Sequence, residues 1–477
     1  MPAGLDNLKH IVVLMLENRS FDHMLGWLQT PQYQIDGLDG TQPIRDSNGE
    51  PVPATRDAAY SGDYDPDVAH DFLNVTEQIF GTKTLPPAGP PAMSGFVTDY
   101  GEVSGKVSKS HAVMKCFDPK KVPVLTTLAQ NYALCTRWFS SVPGPTLPNR
   151  AYAHAASSVG HVDMTINWWK ESKTIYELLV DNQHTAKIYY TDATMALTFG
   201  GLLDRQSLFF EPDFGQFSRD CKANKLPDYC FLEPRYNAGG GDDPTEPSDQ
   251  HPDHDVESGE QLIHDVFNAI TSNADTWNST LLVIVYDEHG GLFDHIPPPA
   301  ATPPDNIQSA NPPFAFDRLG VRVPAVLVSP YIQAGTVISD TVFDHSSLAA
   351  TARKVFLGAG WENTFLTQRD RVASTFEGAL TLEQPRAANE VDVSGKHQAA
   401  IAERNLSLAA RTANQTALAA QPLSEHQVAL VGVMATAAAA NVTQADAANM
   451  TQAQAAALHK QFRTAIHGAA PAAGAGQ

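Results

Sequence analysis

Two acids stand side by side behind the apolar run LLVIVY: Asp287 and Glu288, followed by His289-Gly290-Gly291. Adjacent carboxylates at the end of a buried strand cost desolvation energy unless they are paired or bind a cation. A hard divalent cation is one solution; a solvated acidic turn that caps a helix is the other. Successive strand residues point to opposite faces, so a turn at Gly290-Gly291 is needed to bring both carboxylates to one point. The same arrangement recurs near the start of the chain, where HIVVLML runs straight into Glu17-Asn18. A carboxylate and an amide delivered to a strand end make a second set of oxygen donors.

A possible nucleophile lies in VPGPTLPNRAYAHAASS, residues 142–158. Pro148 suits the first turn of a helix. Thr146 then sits just ahead of a helix N-terminus, where backbone N–H groups and the dipole favour anions. Its hydroxyl is a phosphoryl-transfer nucleophile on one reading and a helix cap on the other. Arg150 orients a phosphate or forms an ion pair at the helix start. Histidines supply the proton chemistry: His70 in DPDVAHDF, His251 and His254 in SDQHPDHDVESGEQ, His345 in VFDHSSL. Imidazole suits donation to a leaving group and hydrogen bonding to phosphate oxygens near neutral pH. The chain holds 17 histidines, so spacing alone singles out none of them.

These side chains need a scaffold. Ile11–Leu16, Tyr229–Leu232, Leu281–Tyr286 and Val323–Val328 are continuously apolar and read as buried parallel strands. They end in Glu17-Asn18, Glu233-Pro234, Asp287-Glu288 and Ser329-Pro330. Helical patterns such as Thr174–Asp181 and Gly259–Thr271 lie between them. The alternation predicts a doubly wound, mostly parallel α/β sheet flanked by helices, and ligands bind such sheets outside the carboxyl ends of the strands. Residues 83–95 read as a proline-rich surface loop, and residues 237–258 as a long polar loop.

The last 77 residues contain 26 alanines and no strand-like run. A boundary near residue 395 therefore separates a large α/β domain, residues 1–395, from an Ala-rich helical segment, residues 396–477. Ser424 with Gln427 makes a capping box, and Leu458, Phe462 and Ile466 share one helix face. The end, GAAPAAGAGQ, is expected to fray. The segment packs on the main domain or serves as an interaction or membrane-docking helix.

Composition narrows the function. The 477-residue chain carries a formal net charge of −21, which disfavours nucleic acid and anionic membranes at long range. No run approaches the roughly 20 apolar residues of a membrane span. Met1 leads almost directly into the first strand, so no signal peptide is visible, and a soluble protein is expected, cytoplasmic or secreted after processing. Four cysteines lack CxxC spacing; Cys221 and Cys230 either close a short disulfide loop or are buried thiols.

ENRSFDH, GPTLPNR, DQHPDHDV, DEHGGLFDH and FDHSSL occur in one order between about residues 8 and 360. In that order the motifs resemble the bacterial and plant non-specific phospholipase C and acid phosphatase A family of phosphoesterases. The resemblance implies an alkaline-phosphatase-like α/β fold, with residues 1–395 as the catalytic domain. It implies one divalent metal ion held by Glu17, Asn18, Asp287, Glu288 and Thr146, with Thr146 as nucleophile. Thr146 and Glu288 are similar to the phospholipase branch rather than the acid phosphatase branch. His70, His251 and His345 would contact phosphate or assist the leaving group, with Arg150, His254 and His289 as further substrate contacts. The oxygen-rich donor set favours calcium or magnesium, with zinc as the alternative.

The expected activity is hydrolysis of phosphatidylcholine-type lipids to diacylglycerol and a phosphorylated head group through a phosphothreonine intermediate, with transient contact at a membrane surface. A broad acid phosphatase acting on small phosphoesters at the same site is the alternative. A catalytically silent binding protein is the third reading, and the retained Thr146, Asp287 and Glu288 argue against it.

Overall fold

A computed structural model describes residues 4–240, 245–252 and 254–468. Eight strands form one sheet: β1 (His10–Leu16), β2 (Ala133–Cys135), β3 (Ala186–Tyr189), β4 (Phe210–Glu211), β5 (Tyr229–Leu232), β6 (Thr280–Tyr286), β7 (Ala325–Val328) and β8 (Thr336–Ile338). Their order across the sheet is β8-β2-β7-β6-β1-β5-β3-β4. Every residue of β1, β5 and β6 is buried. Since neighbouring side chains on a strand face opposite ways, both faces of the sheet are covered, and this is why these runs are apolar throughout.

β1 lies between β5 and β6 and is parallel to both, with Leu14 opposite Leu232 and Leu16 opposite Tyr286. Glu17, Glu233 and Asp287 therefore leave the sheet at one rim. One expectation fails here. β7 is antiparallel to both of its neighbours, β6 and β2, so Ser329-Pro330 lies at the opposite rim. A continuous apolar run reports burial on both faces and carries no information about direction.

The helices that position the site are α1 (Pro123–Asn131), α2 (Thr146–Ala155), α3 (Ile175–Asp181), α4 (Val256–Thr271), α5 (Ser346–Leu357), α6 (Glu425–Ala437) and α7 (Gln452–His467). Local signals set their starts. Thr174 and Glu177 form a reciprocal capping box before α3, and Ser424 and Gln427 do the same for α6. α4 begins three residues before the expected Gly259, at Val256, because the Asp255 side chain accepts the Glu257 N–H.

Leu430, Val433 and Met434 of α6 are fully buried in the same core as β1, and Phe462 and Ile466 of α7 join them. All four cysteines are free and buried, so Cys221 and Cys230 are the thiols of the second reading. Most of residues 82–92 are exposed or half-buried, as expected of a proline-rich surface loop. Among the described residues no helix is long and apolar enough to cross a membrane. Apart from Gly468, the end expected to fray lies outside the described residues.

Candidate active site

Asn18 is the hinge of the site. It follows β1 with φ +54°, a left-handed conformation that asparagine tolerates better than most residues and that tends to cluster at functional positions. Its backbone N–H donates to Asp287 Oδ1 at 3.1 Å, and its side-chain Oδ1 accepts the Thr146 hydroxyl at 3.2 Å. Its Nδ2 lies 3.5 Å from His70 Nε2. Segments from residues 18, 70, 146 and 287 thus meet at one residue.

Thr146 is held there by Asn149. The Asn149 amide accepts the Val142 N–H at 2.9 Å and donates to the carbonyls of Val142, Gly144 and Pro145 at 2.9–3.1 Å. This locks the loop into α2. Thr146 is the first residue of α2, and Pro145 takes the N-cap position without a side-chain bond. The cap reading of Thr146 is therefore corrected: its hydroxyl points to Asn18 instead. Pro148 lies in the first turn, as its fixed φ requires.

The turn after Asp287 depends on glycine. Gly290 has φ +63°, and a Cβ there would lie 2.2 Å from the Asn18 carbonyl oxygen. Gly290→Ala is accordingly expected to cost about 1–3 kcal/mol of stability in urea denaturation, because the change adds strain and a backbone clash at once. The Gly290 N–H donates to Glu288 Oε2 at 2.7 Å.

Arg150 sits at the centre of the buried charge. It reaches Asp287 Oδ2 at 2.9 Å, Glu233 Oε2 at 2.7 Å and Glu17 Oε1 at 3.5 Å, and all four groups are buried. It is an ion-pair residue here, the second of its two readings. Burial pushes the Glu17 carboxyl well above its ordinary pKa, against the pull of Arg150. Burial also raises Asp287 to about 7, again opposed by Arg150.

His70 behaves differently. Burial disfavours its charge, but the Glu288 carboxylate, 3.7 Å away, and Asp67 outweigh burial and raise it to about 9. His70 lines a cavity of ≈ 730 Å³ together with Asn18, Asp67, His251, Glu425 and His426. His251 Nε2 faces Asp67 Oδ2 at 3.5 Å across this space.

The remaining histidines are engaged inside the protein. His345 Nδ1 accepts the Trp138 indole N–H at 3.3 Å, and its Nε2 meets the Asp287 carbonyl at 2.5 Å. Burial lowers its pKa to about 4, so it is a neutral prop for the end of β6. His289 Nε2 meets Gln78 Oε1 at 2.7 Å, and its Nδ1 faces Glu288 Oε2 at 3.3 Å. His254 stands between Asp249 Oδ1 at 2.6 Å and Gln452 Nε2 at 3.1 Å. These contacts orient the site's carboxylates and loops.

The donor set suits a hard cation. Glu17, Asn18, Thr146, Asp287 and Glu288 all offer oxygen. Glu17 Oε1 and Glu288 Oε1 are buried with no hydrogen-bond partner. Three carboxylates around Arg150 leave excess buried negative charge, which a divalent ion would offset. Arg150 bridges Glu17 and Asp287. Among the described residues, the one group of acids and histidines with all ligand atoms within 4.8 Å is Asp22, Asp294 and His295. Arg322 pairs with two of its members, reaching Asp294 Oδ1 at 2.9 Å and Asp22 Oδ1 at 3.1 Å.

Residues 8–357 match the model of the Phosphoesterase family. The chain belongs to this phosphoesterase family. It is thus an enzyme of the phosphoric ester hydrolase class. It is similar to Non-specific phospholipase C3 of Arabidopsis thaliana, 38% identical over 405 residues, covering 80% of this chain and 74% of that one. Non-specific phospholipase C6 of the same plant is 39% identical over 397 residues, covering 80% and 73%. Phospholipase C B of Mycobacterium tuberculosis is 26% identical over 415 residues, covering 74% of each chain. A solved structure of an alkaline phosphatase superfamily protein from Vibrio parahaemolyticus covers 74% of this chain and 66% of its own at 11% identity, with a TM-score of 0.34.

Sequence reasoning passed over three residues of this phosphoesterase site. Glu233 ends β5 and was visible as a strand-end acid. Asn149 lies inside the GPTLPNR motif. His426 lies in the Ala-rich segment and had no local signal.

Proposed function

We propose that this phosphoesterase is a metal-dependent phospholipase C that hydrolyses phosphatidylcholine-type lipids to diacylglycerol and a phosphorylated head group. The observation that supports this most is the Asn18 junction, which joins the Thr146 hydroxyl at 3.2 Å to the Asp287 strand end at 3.1 Å. A divalent ion held by Glu17, Asn18, Asp287, Glu288 and Thr146 would neutralise phosphate charge and lower the pKa of the Thr146 hydroxyl. Thr146 gives up its hydroxyl proton to solvent water, its Oγ1 attacks phosphorus, the bond to the diacylglycerol oxygen breaks, and the head-group phosphate is left on Thr146. His70, in its protonated form, donates a proton to the departing oxygen. Water then releases the phosphorylated head group. Asn18 orients the hydroxyl, and His345 and His289 hold Asp287 and Glu288.

The test compares phosphatidylcholine vesicles with p-nitrophenyl phosphate, with and without EDTA. Diacylglycerol release from the lipid is expected to be the faster reaction. EDTA is expected to lower it by roughly 100-fold or more, the scale of losing several kcal/mol of transition-state charge stabilisation, and calcium, magnesium or zinc should restore it. Faster hydrolysis of the monoester would favour the acid phosphatase reading. Activity unchanged by EDTA, after dialysis with a tighter chelator, would remove the metal from the mechanism.

A further inference from the structure

The Ala-rich C-terminal segment supplies one wall of the active-site cavity. α6 begins at Glu425, and its first turn is fixed from several sides. Gln427 Nε2 donates to the Tyr236 carbonyl at 2.5 Å. In α7, Gln452 accepts the Ala238 N–H at 3.0 Å, and His459 Nδ1 meets Asn237 Nδ2 at 3.1 Å. These bonds tie the segment to the chain just after β5, next to the end of β1.

His426 is the residue this arrangement delivers. It is 3% exposed, and its ring stands edge-on to Tyr236 with centroids 4.9 Å apart and planes at 83°. Its Nδ1 is in close polar contact with Glu17 Oε1. Beyond that contact, neither ring nitrogen of His426 has a hydrogen-bond partner. A buried imidazole whose one close polar neighbour is a carboxylate oxygen, with Nε2 left unpartnered, is costly in a purely structural role. Here it also borders the cavity beside Asn18 and His70.

We propose that His426 is a positioning residue for Glu17, turning its carboxylate toward the divalent ion, so that the C-terminal segment forms part of the metal site. This rests on the reading of Glu17 as a metal ligand. Ligating carboxylates are oriented by outer hydrogen-bond partners whose loss weakens metal binding. Arg150 lies 3.5 Å from the same oxygen but is shared with Asp287 and Glu233. His426 is the partner that comes from outside the five motifs.

The test is titration calorimetry of the metal-stripped full chain with calcium, magnesium or zinc, using the ion that the unaltered protein binds most tightly. His426→Ala is expected to weaken that affinity by about 10–100-fold, the range for losing such a partner. His426→Asn, whose amide nitrogen stands where Nδ1 stands, should recover most of it. Glu17→Gln and Glu288→Gln serve as references. If both references weaken binding and His426→Ala does not, the His426 role is overturned and the metal reading stands. If neither reference weakens binding, both fall. Should His426→Ala show no cooperative melt, hydrogen exchange of the unaltered protein decides. Addition of the ion should slow exchange across residues 425–431, and unchanged exchange there overturns the proposal.

Discussion

Thr146→Ala is expected to lower kcat by roughly three to five orders of magnitude on the lipid substrate, as loss of an attacking nucleophile does elsewhere. The Thr146 hydroxyl donates to Asn18 Oδ1 at 3.2 Å, and Thr146 is not the N-cap of α2. Its removal therefore costs one hydrogen bond, about 1 kcal/mol of stability. Each decade of rate corresponds to about 1.4 kcal/mol, so a stability effect of that size does not mimic the expected loss. Thr146→Ser keeps the hydroxyl and should retain measurable turnover. Acid quenching of the unaltered enzyme during turnover should leave a phosphoryl head group on Thr146, visible by mass spectrometry. Near-normal turnover by Thr146→Ala would mean that water attacks phosphorus directly, and the covalent step would be abandoned.

Arg150→Met should have the largest effect on stability. The substitution leaves Glu17, Glu233 and Asp287 buried without the guanidinium that now reaches all three. Removing one partner of a buried charge network costs about 3–5 kcal/mol, measurable by urea denaturation. The loss should depend on pH. The Glu17 and Asp287 carboxyls already have raised pKa values in the folded protein, Asp287 to about 7. Without Arg150 they rise further, so the folded variant binds more protons than its unfolded chain at intermediate pH. Stability then falls as pH rises. The deficit should be greatest above pH 7, where the folded carboxyls would have to ionise. It should shrink as the pH is lowered through about 7, the Asp287 value in the unaltered protein, below which that carboxyl is protonated with or without Arg150. A deficit independent of pH would point to lost packing of the long Arg150 side chain as the cause. Arg150→Lys keeps the charge but not the fork, and a single ammonium cannot reproduce guanidinium contacts to three carboxylates. It should recover only part of the stability.

The elements were legible wherever a short segment carries its own cause. The apolar runs of β1, β5 and β6 announce burial on both faces. Thr174 with Glu177 and Ser424 with Gln427 announce helix starts, because each box is closed within four residues. The Gly290-Gly291 turn was likewise readable, since the positive φ at each favours glycine.

Direction and partnership were not legible. β7 has the same apolar signature as β6 yet runs the other way, because hydrophobicity is blind to chain polarity. Sequence alone placed Glu17, Asn18 and Asp287 at strand ends and Thr146 at a helix start. Only the tertiary structure decided that Arg150 lies among three acids drawn from residues 17, 233 and 287. It also decided that His345, His289 and His254 are engaged with protein groups, and that His426 faces Glu17. A side chain's ionic role depends on which charges surround it in space, and here those charges are contributed by segments more than 80 residues apart.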